Sequence, residues 1–400
     1  MSSRLEAGEL TPREEILGRI ARLKEAMASS GIDFCLIMQN VDLFYFTGSV
    51  QKGVLLVRQE GQPLFFVERS VERALAESPL EIMPIRTEKE IGLLFKDKGA
   101  FRGRGGMELD VVPVALFEKF KKITGAEDFT DISGTVKTLR IIKSPFEIDQ
   151  IRRSGAICDR ILSRAGDVIR EGMREIDIDA ELIAEGRRFG HQGFLRMRGF
   201  NQEMMSLYVV AGTSGTVASS ADVPVSGLGL SPAIAQGSSM ETVRRGIPVI
   251  IDCGGGYNGY ITDETRSFVV GELDELFRKP FETARDIVED TQGFAKAGTD
   301  ATEVFSRAHQ RVKKAGLDHY FMGHGPTRVK FIGHGLGLEI NEPPVFTARH
   351  HTILREGMVF AFEPKFVFPG KGVIGIEVDF VVRKNGVERV TETPIDLVRL

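Results

Sequence analysis

Two stretches of the chain share one pattern, a helix followed by a glycine break and a second helix. Residues 158–190 align with residues 284–316, which lie 126 positions further along, and the alignment matches Gly172 with Gly298. Strand-rich sequence follows each stretch. This internal repeat predicts two α+β halves related by approximate two-fold symmetry, with a site between them. The identity of the stretches is low, so chance similarity between two amphipathic helix pairs is the alternative interpretation.

The sequence before the repeat has a different organisation. It alternates short helical and strand-like segments, which favours an α/β domain. A new helix begins at KSPFEIDQIRR, where Ser144 is a natural N-cap, Pro145 suits the first helical position and Glu147 completes a capping box. We place the domain boundary just before this helix, which predicts domains at 1–138 and 139–400.

The composition excludes several classes of protein. Lys and Arg number 52 and Asp and Glu 56, a near balance that argues against a nucleic-acid surface or a polybasic membrane patch. No apolar run approaches the ~20 residues of a membrane span, and the first residues lack the apolar segment of an export signal. Cys35, Cys158 and Cys253 form no disulfide framework and no thiolate zinc site. We therefore expect a cytoplasmic protein with a small substrate and no nucleic-acid or membrane partner.

An apolar strand that ends in a carboxylate opens the first of three segments with candidate chemistry. The segment IPVIIDCGGGYNGYITDETRSFVVG predicts a β-hairpin in which Asp252 ends the first strand and Asp263 lies on the second. A carboxylate at the end of a buried strand must be paired or bind a metal. The hairpin alone is equally compatible with a structural role, in which Asp252 caps the turn and Asp263 pairs with Arg266.

Two further segments add a histidine and two glutamates. His334 lies between glycines in FIGHGLGLEINEPP, where a lone histidine is more often structural than a ligand. The segment GMVFAFEPKFVFPGKGVIGIEVDFVV predicts two strands, and their alternation places Glu363 on one face with Val359 and Ala361. Glu363 and Glu377 can therefore meet across adjacent strands, on a face that is too apolar to be solvated.

Together these residues form an oxygen-rich set with one imidazole, which suits Mn, Co, Fe or Zn. The set consists of Asp252, Asp263, His334, Glu363 and Glu377. Two divalent ions neutralise four buried carboxylates, whereas one ion leaves half of their charge uncompensated, so the sequence predicts two divalent metal ions. Because paired metals activate a shared water and stabilise an oxyanion, the predicted reaction is hydrolysis.

The order of these motifs, D-(10 residues)-D, HGLGLE, GMVFAFEP and GIE, resembles the pita-bread metallopeptidases. These include Xaa-Pro dipeptidase (prolidase), aminopeptidase P and methionine aminopeptidase, with creatinase as a non-metal relative. RLKEAMASSGIDFCLIM and FYFTG, in the first domain, are similar to the creatinase-type amino-terminal domain. The resemblance implies an α+β/α/β two-domain protein, with a creatinase-type N-terminal α/β domain and a pseudo-two-fold pita-bread α+β catalytic domain.

The resemblance implies a role for each ligand. Asp252 would be a terminal ligand of one metal, and His334 and Glu363 would be terminal ligands of the other. Asp263 and Glu377 would bridge the two ions. Glu363 would also accept the proton of the bridging water as general base.

Three neighbours of the ligands have implied supporting roles. Thr265 and Arg266, in the TDETR stretch, resemble groups that hold Asp263 and its neighbours in place. Lys365 stands two residues after Glu363, where the peptidases commonly have glycine. Two interpretations of Lys365 are equally favoured: it binds a substrate carboxylate, or it reaches solvent at the strand end.

The chain departs from the family at two histidines. The peptidases usually have a histidine about seven residues after the metal histidine, in a V-H-E sequence, where this chain has Asn341 in INE. They have another before the first metal aspartate, whereas residues 192–308 contain no histidine. Asn341 can donate a hydrogen bond but cannot shuttle a proton at neutral pH. The other candidates are His324, His350 and His351, and a surface or packing role is the favoured interpretation of each. His324 is the best replacement among them, because it shortly precedes the metal histidine in sequence.

We therefore predict a dinuclear-metal hydrolase that cleaves Xaa-Pro bonds in small peptides, and the family suggests a homodimer. One alternative keeps the fold and metals but acts on a non-peptide small molecule, as a hydrolase or lyase; the missing histidines favour it. A second alternative is a catalytically silent binding protein. The complete ligand set argues against it, since an inactive site has no need to keep four carboxylates together when their burial is unfavourable.

Overall fold

The chain folds into two compact units that meet at the Arg140–Ile141 peptide bond. The structure is a computed structural model that describes residues 9–95 and 101–400. The boundary predicted at 138/139 lies two residues before the observed division.

The first unit is an α/β domain built on one mixed sheet. Its helices are α1 (Arg13–Ser29), α2 (Asn40–Thr47), α3 (Val71–Glu77), α4 (Lys89–Phe95), α5 (Val114–Thr124) and α6 (Ser133–Arg140). Its strands are β1 (Phe34–Ile37), β2 (Gly53–Arg58), β3 (Leu64–Val67), β4 (Glu81–Pro84), β5 (Gly105–Met107) and β6 (Phe129–Asp131). The sheet order is β4-β3-β2-β1-β5-β6, with β1–β2 and β2–β3 antiparallel and the other pairs parallel.

Apolar spacing explains how the first unit is stabilised. Ile16, Ile20, Leu23 and Met27 recur at intervals of three or four along α1, and all are buried. Side chains from alternate positions of the central strands, such as Phe34 on β1, form one contiguous core.

The second unit contains the repeated helix pairs and more strands. Its helices are α7 (Pro145–Val168), α8 (Glu175–Arg188), α9 (Glu275–Phe294) and α10 (Ala301–Ala315), and short 3₁₀ turns span Ser214–Thr216, Asp318–Tyr320 and Gly325–Thr327. Its strands are β7 (Leu207–Ala211), β8 (Val249–Tyr257), β9 (Tyr260–Val269), β10 (Phe331–Gly335), β11 (Glu342–Thr347), β12 (Val359–Phe362), β13 (Lys365–Phe368), β14 (Gly372–Gly375), β15 (Val378–Arg383), β16 (Gly386–Arg389) and β17 (Val398–Arg399).

The structure confirms that the helix–break–helix pattern occurs twice. Helix α9 ends 126 positions after α7, and α10 begins 126 positions after α8. The aligned glycines Gly172 and Gly298 both have a left-handed backbone, with φ of 84° and 95°, which glycine adopts without strain. Helix α7 packs on β8 and β9, whereas α10 packs on β11 and α9 on β14 and β16.

Two sheets of the second unit meet at one short bridge. One sheet has the order β17-β9-β8-β7, the other has the order β11-β10-β12-β15-β16, and β13 and β14 form a separate antiparallel pair. Between the two larger sheets, the backbone N–H of Glu377 donates to the carbonyl oxygen of Thr265 over 3.1 Å. The carboxylate-bearing ends of the strands are thereby brought together.

The hairpin predicted in the segment 247–271 is confirmed, and the pair of strands predicted in the segment 357–382 is corrected. Strands β8 and β9 pair from Val249↔Phe268 to Tyr257↔Tyr260 around an Asn258–Gly259 turn. The later segment forms four strands instead of two, because its chain leaves the sheet at Glu363-Pro364 and again at Ile376-Glu377. Proline has no N–H for the strand ladder, so the first break falls where the ladder cannot continue.

Among the residues that the structure describes, we find no helix with both the length and the apolar character needed to cross a membrane.

The capping box at the start of α7 is present as predicted, and it generates a stability test. The Ser144 hydroxyl accepts from the Glu147 N–H over 3.2 Å, and the Glu147 carboxylate accepts from the Ser144 N–H over 2.9 Å. We expect Ser144→Ala to lower the free energy of unfolding by about 1 kcal/mol, measured by urea denaturation followed by circular dichroism. Ser163→Ala, at an exposed position inside α7, is the matched control and should cost nothing. Equal effects of the two substitutions would contradict the assignment of the cap.

Candidate metal centre

The β8–β9 hairpin places two carboxylates and a threonine on one face. The register pairs Asp252 with Thr265 and Gly254 with Asp263, so Asp252, Asp263 and Thr265 all point the same way. Gly254, between the two aspartates, leaves room for the neighbouring loop, since a Cβ there would lie 2.3 Å from Leu195 Cδ1. Both carboxylates are buried.

The second sheet brings two glutamates and the histidine to the same place. Strand β12 pairs with β15 through Phe362↔Val378, so Glu363 and Glu377 follow at the ends of neighbouring strands. His334, on β10, pairs with Ala361 on the other side of β12. We use the name carboxylate cluster for Asp252, Asp263, Glu363 and Glu377.

The dominant feature of the centre is a buried ammonium. Lys365 Nζ lies 2.9 Å from Asp252 Oδ2, 3.0 Å from Glu363 Oε2 and 2.6 Å from Glu377 Oε2. The residue is only 2% exposed. An ammonium group has three protons, and three carboxylates accept them here. Lys365 therefore does not reach solvent, and it has no donor left for a substrate carboxylate, so neither predicted role agrees with the geometry.

Two hydroxyl groups also surround Asp252. The Tyr208 hydroxyl donates to Asp252 Oδ2 over 2.7 Å, and the Thr265 hydroxyl lies 2.9 Å from the same oxygen. The Thr265 hydroxyl is also 2.9 Å from Glu377 Oε2, and its single proton serves one of the two acceptors at a time. Thr265 therefore orients Asp252 and Glu377, which are neighbours of Asp263.

Arg266 is buried beside the centre but contacts other groups than predicted. Its Nη1 donates to the carbonyl oxygen of Glu377 over 2.7 Å and pairs with Glu264 Oε2 at 2.7 Å. Its Nε and Nη2 donate to the carbonyl oxygens of Pro394 and Thr393. These contacts do not agree with the alternative interpretation in which Arg266 pairs with Asp263, and they place its implied supporting role on the neighbours of Asp263. Arg266 instead fixes the backbone where the two sheets meet.

Three residues of the predicted set fit one divalent ion. Asp263, His334 and Glu377 each offer a ligand atom, and these atoms all lie within 4.8 Å of one another. Glu377 Oε1 is buried and has no hydrogen-bond partner among the residues that the structure describes. The Nδ1 of His334 lies 3.2 Å from the carbonyl oxygen of Gly335, which can only accept, so Nδ1 holds a proton and Nε2 is available as a ligand. Asp252 and Glu363, by contrast, are held by Lys365.

Burial of four carboxylates around one ammonium shifts their acidity. Burial raises the pKa of Asp263 well above its ordinary range, and the neighbouring Glu377 and Asp252 raise it further. Burial also raises the pKa of Glu377, to about 8, although the Lys365 ammonium acts in the opposite direction. For Lys365, burial lowers the pKa, but Asp252, Glu377 and Glu363 more than offset it, so the pKa lies above the ordinary value. The carboxylates thus favour the charged form of the lysine, whereas burial favours the neutral form of Asp263 and Glu377.

The cluster lies at the bottom of a cavity of about 760 Å³. The described residues that line it include all members of the carboxylate cluster, His334 and Lys365, with apolar side chains such as Leu195, Met197, Met204 and Ile340 on the walls. Arg198 lines the cavity as well, and its Nη1 lies 3.8 Å from Glu339 Oε1. This volume suits a small molecule of dipeptide size.

The two residues predicted to replace the missing histidines have different positions. The described residues that line the cavity do not include His324, whose Nε2 lies 3.2 Å from the carbonyl oxygen of Thr216, so these contacts do not support its predicted catalytic role. Asn341 does line the cavity, but its amide is occupied by the backbone of Arg198. Asn341 Oδ1 accepts from the Arg198 N–H over 3.2 Å, and Nδ2 donates to the Arg198 carbonyl over 3.3 Å. Asn341 is therefore a positioning residue in this geometry.

Sequence reasoning missed Tyr208 and Asp379. Burial raises the pKa of Tyr208 well above its usual range, and the Asp252 carboxylate raises it further, so Tyr208 stays a hydrogen-bond donor. Asp379 is fully buried and its Oδ2 accepts from the Asp263 N–H over 2.8 Å. The sequence signal for Asp379 was its place two residues after Glu377 on the same strand pattern; for Tyr208 the strand pairing was needed.

Comparisons with known proteins find two family matches that together cover most of the chain. Residues 149–384 match the family described as Metallopeptidase family M24, and residues 19–142 match the Creatinase/Prolidase N-terminal domain. A Xaa-Pro dipeptidase from Pyrococcus furiosus is 28% identical over 381 residues, which cover 95% of this chain and 99% of that protein.

Solved structures are also similar over nearly their whole length. The prolidase from Pyrococcus horikoshii OT3 has a TM-score of 0.81 at 26% identity, covering 95% of this chain and 100% of that chain. A Xaa-Pro dipeptidase from Bacillus anthracis has a TM-score of 0.82 at 26% identity, covering 96% and 100%. The predicted two-domain fold, creatinase-type followed by pita-bread, is confirmed.

The raised pKa of Glu377 predicts how metal-free protein responds to pH. Its folded pKa of about 8 lies above the ordinary 4.5, so the folded state keeps a proton that the unfolded state releases. That stability is fully present below about pH 4.5 and is lost as the pH rises through about 8, by at most about 5 kcal/mol at about 1.4 kcal/mol per unit. We expect the thermal unfolding temperature of chelator-treated protein to fall over this range, and to fall less for Glu377→Gln. Parallel curves for the two proteins would contradict the assignment.

Proposed function

The chain belongs to metallopeptidase family M24, and we propose from this membership that it is a metal-dependent peptidase that hydrolyses Xaa-Pro bonds in small peptides. The observation that supports the substrate is end-to-end similarity to relatives named Xaa-Pro dipeptidase and prolidase. The alternatives, a non-peptide hydrolase or lyase and a silent binding protein, are not favoured by these relatives.

We propose that Asp263, His334 and Glu377 hold a divalent ion. Two carboxylates and one imidazole suit Mn, Co, Fe or Zn. When bound, such an ion polarises the scissile carbonyl and lowers the pKa of a coordinated water. The sequence predicted two ions in the centre, and that number stays a prediction. The contacts of Lys365 are relevant to it.

Glu363 is the proposed general base. It lies at the cavity floor, and the Lys365 ammonium, 3.0 Å from its Oε2, fixes the orientation of the carboxylate toward the cavity. A fixed carboxylate can accept the proton of the attacking water and return it to the leaving nitrogen. The missing family histidines are not replaced by His324, so we propose that proton transfer depends on Glu363.

Arg198 is the proposed partner of the substrate carboxylate, the role that Lys365 cannot fill. Arg198 lines the same cavity as the carboxylate cluster, its Nη1 lies 3.8 Å from Glu339 Oε1, and Asn341 holds its backbone through both amide atoms. A planar guanidinium binds a carboxylate through two parallel hydrogen bonds, which orients a dipeptide by its free end.

We further propose that the chain acts as a cytoplasmic homodimer. The three cysteines are buried and unpaired, which agrees with a reducing compartment. The dimer rests on the family resemblance, and size-exclusion chromatography with light scattering tests it.

The proposed function is tested with a dipeptide panel. Protein supplied with Mn²⁺ should hydrolyse Ala-Pro and Met-Pro, should act poorly on Ala-Ala, and should lose activity with EDTA. Equal rates on all three dipeptides, or full activity after complete removal of metal, would contradict the proposal.

Replacement of Arg198 tests substrate orientation. We expect Arg198→Met to raise KM for Ala-Pro by about 10- to 100-fold, from the loss of a charge-assisted carboxylate contact worth about 1.5–3 kcal/mol, with a smaller change in kcat. Arg196→Met is the matched control, because Arg196 belongs to the same loop, stacks on Phe194 and is not among the described cavity-lining residues. The two variants should also differ little on Ala-Pro amide, which lacks the carboxylate. An equal loss on the amide and the free dipeptide would show that Arg198 has a different role.

A further inference from the structure

We infer that the ammonium of Lys365 takes the place of one metal ion, so that the centre holds a single divalent ion on Asp263, His334 and Glu377. The inference rests on the proposed function only in taking the carboxylate cluster to be the metal site of the peptidase. It departs from the two-ion centre that the sequence predicted.

Lys365 contacts one oxygen of each carboxylate that a second ion would need. Its Nζ lies 2.9 Å from Asp252 Oδ2 and 3.0 Å from Glu363 Oε2, the carboxylates left over once the three-residue group is assigned. A divalent ion binds carboxylate oxygen at about 2.0–2.2 Å, so an ion on either of these oxygens would lie within about 5 Å of the ammonium nitrogen. A second ion there would be repelled both by the ammonium and by the ion on Asp263, His334 and Glu377, in a poorly solvated interior.

The neighbouring backbone holds Lys365 in this position. Gly375 faces Lys365 across the β13–β14 pair, and a Cβ at Gly375 would lie 2.7 Å from both Cα and Cγ of the lysine. The Met322 N–H donates to the Lys365 carbonyl over 2.9 Å. The backbone is held on both sides, and the side chain runs through space that glycine leaves open. The local fold therefore determines that the Lys365 ammonium is buried at this point.

One oxygen of Asp252 is already surrounded by donors without a metal. Its Oδ2 lies within 2.9 Å of the Lys365 ammonium and of the hydroxyl groups of Tyr208 and Thr265. A carboxylate oxygen has about two acceptor sites, so a metal bound through Oδ2 would have to displace donors that the fold fixes.

The two carboxylate oxygens of Glu377 have different surroundings. Its Oε2 faces Lys365, whereas Oε1 is buried and lacks a hydrogen-bond partner within the described part of the chain. An unsatisfied buried carboxylate oxygen is costly, and a bound cation removes that cost. Asp263 and His334 offer the two further ligand atoms within reach. Glu377 thus bridges an ammonium on one oxygen and an ion on the other.

Charge is compatible with the same stoichiometry. The two-ion prediction assumed that metal supplies all the positive charge for four carboxylates. One ammonium and one divalent ion together supply three positive charges, which leaves one carboxylate charge to the hydroxyl donors of Tyr208 and Thr265. Two ions in addition to the ammonium would make the site net positive.

The native protein provides the first test, a count of bound metal. The chain is stripped with chelator, dialysed against excess Mn²⁺, Co²⁺ or Zn²⁺ in separate experiments, freed of loose ions and analysed by mass spectrometry. We expect one ion per chain, and the Mn²⁺ protein should show the six-line paramagnetic resonance of an isolated ion. Two ions per chain with an exchange-coupled Mn²⁺ spectrum would overturn the inference, and so would the absence of bound ion.

Removal of the Lys365 ammonium should allow a second metal ion to bind. Lys365→Met is expected to raise the count from one to two ions per chain, and Lys365→Gly provides a second variant with more space. Lys371→Met is the matched control, because Lys371 is exposed on the turn of the same β13–β14 hairpin, and it should stay at one. A folded Lys365 variant that still binds one ion would overturn the inference. If neither variant folds without metal, refolding with excess Mn²⁺ and counting ions gives the same comparison.

These counts do not depend on activity. A native protein with one ion that fails on every Xaa-Pro dipeptide would contradict the proposed function and leave the inference standing. A native protein that cleaves Xaa-Pro dipeptides and binds two ions would support the proposed function and overturn the inference.

Discussion

The contact of one buried ammonium with three carboxylates is the interaction on which the second unit depends. Lys365 joins Asp252, from the β8–β9 hairpin, to Glu363 and Glu377, from the other sheet. Without a cation these carboxylates would repel one another in a site that water barely reaches. Removing one partner of a buried ion pair typically costs about 3–5 kcal/mol, because the remaining charge is left uncompensated. The lysine therefore allows the two sheets to meet in the absence of metal.

The local architecture follows from that meeting point. The chain leaves its sheet at Pro364 and again before Glu377, and these breaks turn Glu363, Lys365 and Glu377 inward. The Thr265–Glu377 bridge then joins the sheets, and Arg266 holds the carbonyl of Glu377 from behind. The same residues line the cavity. The buried charges of the fold therefore lie where a substrate can reach them.

Several features could be predicted from sequence because they depend on short-range rules. The capping box at Ser144 is a local pattern, and the β8–β9 hairpin is defined by its turn residues and apolar runs. Strand alternation correctly placed Glu363 and Glu377 near each other, since a period of two determines the face.

The remaining features depend on distances that a sequence does not contain. Alternation predicts the face of Lys365 but not where a side chain with four rotatable bonds directs its ammonium. One interpretation of the hairpin paired Arg266 with Asp263, yet Glu264 points to the opposite face from Asp263 and accepts the guanidinium. Tyr208 reaches Asp252 only through the β7–β8 register. Nearness in sequence to His334 suggested His324, but the intervening turn directs its ring to Thr216.

The central claim is that Lys365 and one divalent ion share the carboxylate cluster, and anomalous diffraction from a metal-soaked crystal tests it most directly. Data collected at the absorption edge of Zn or Co should show one strong peak per chain, next to Asp263, His334 and Glu377. Lys365 Nζ should still contact Asp252 and Glu363. Two peaks per chain, with the lysine side chain turned away from those carboxylates, would contradict the account.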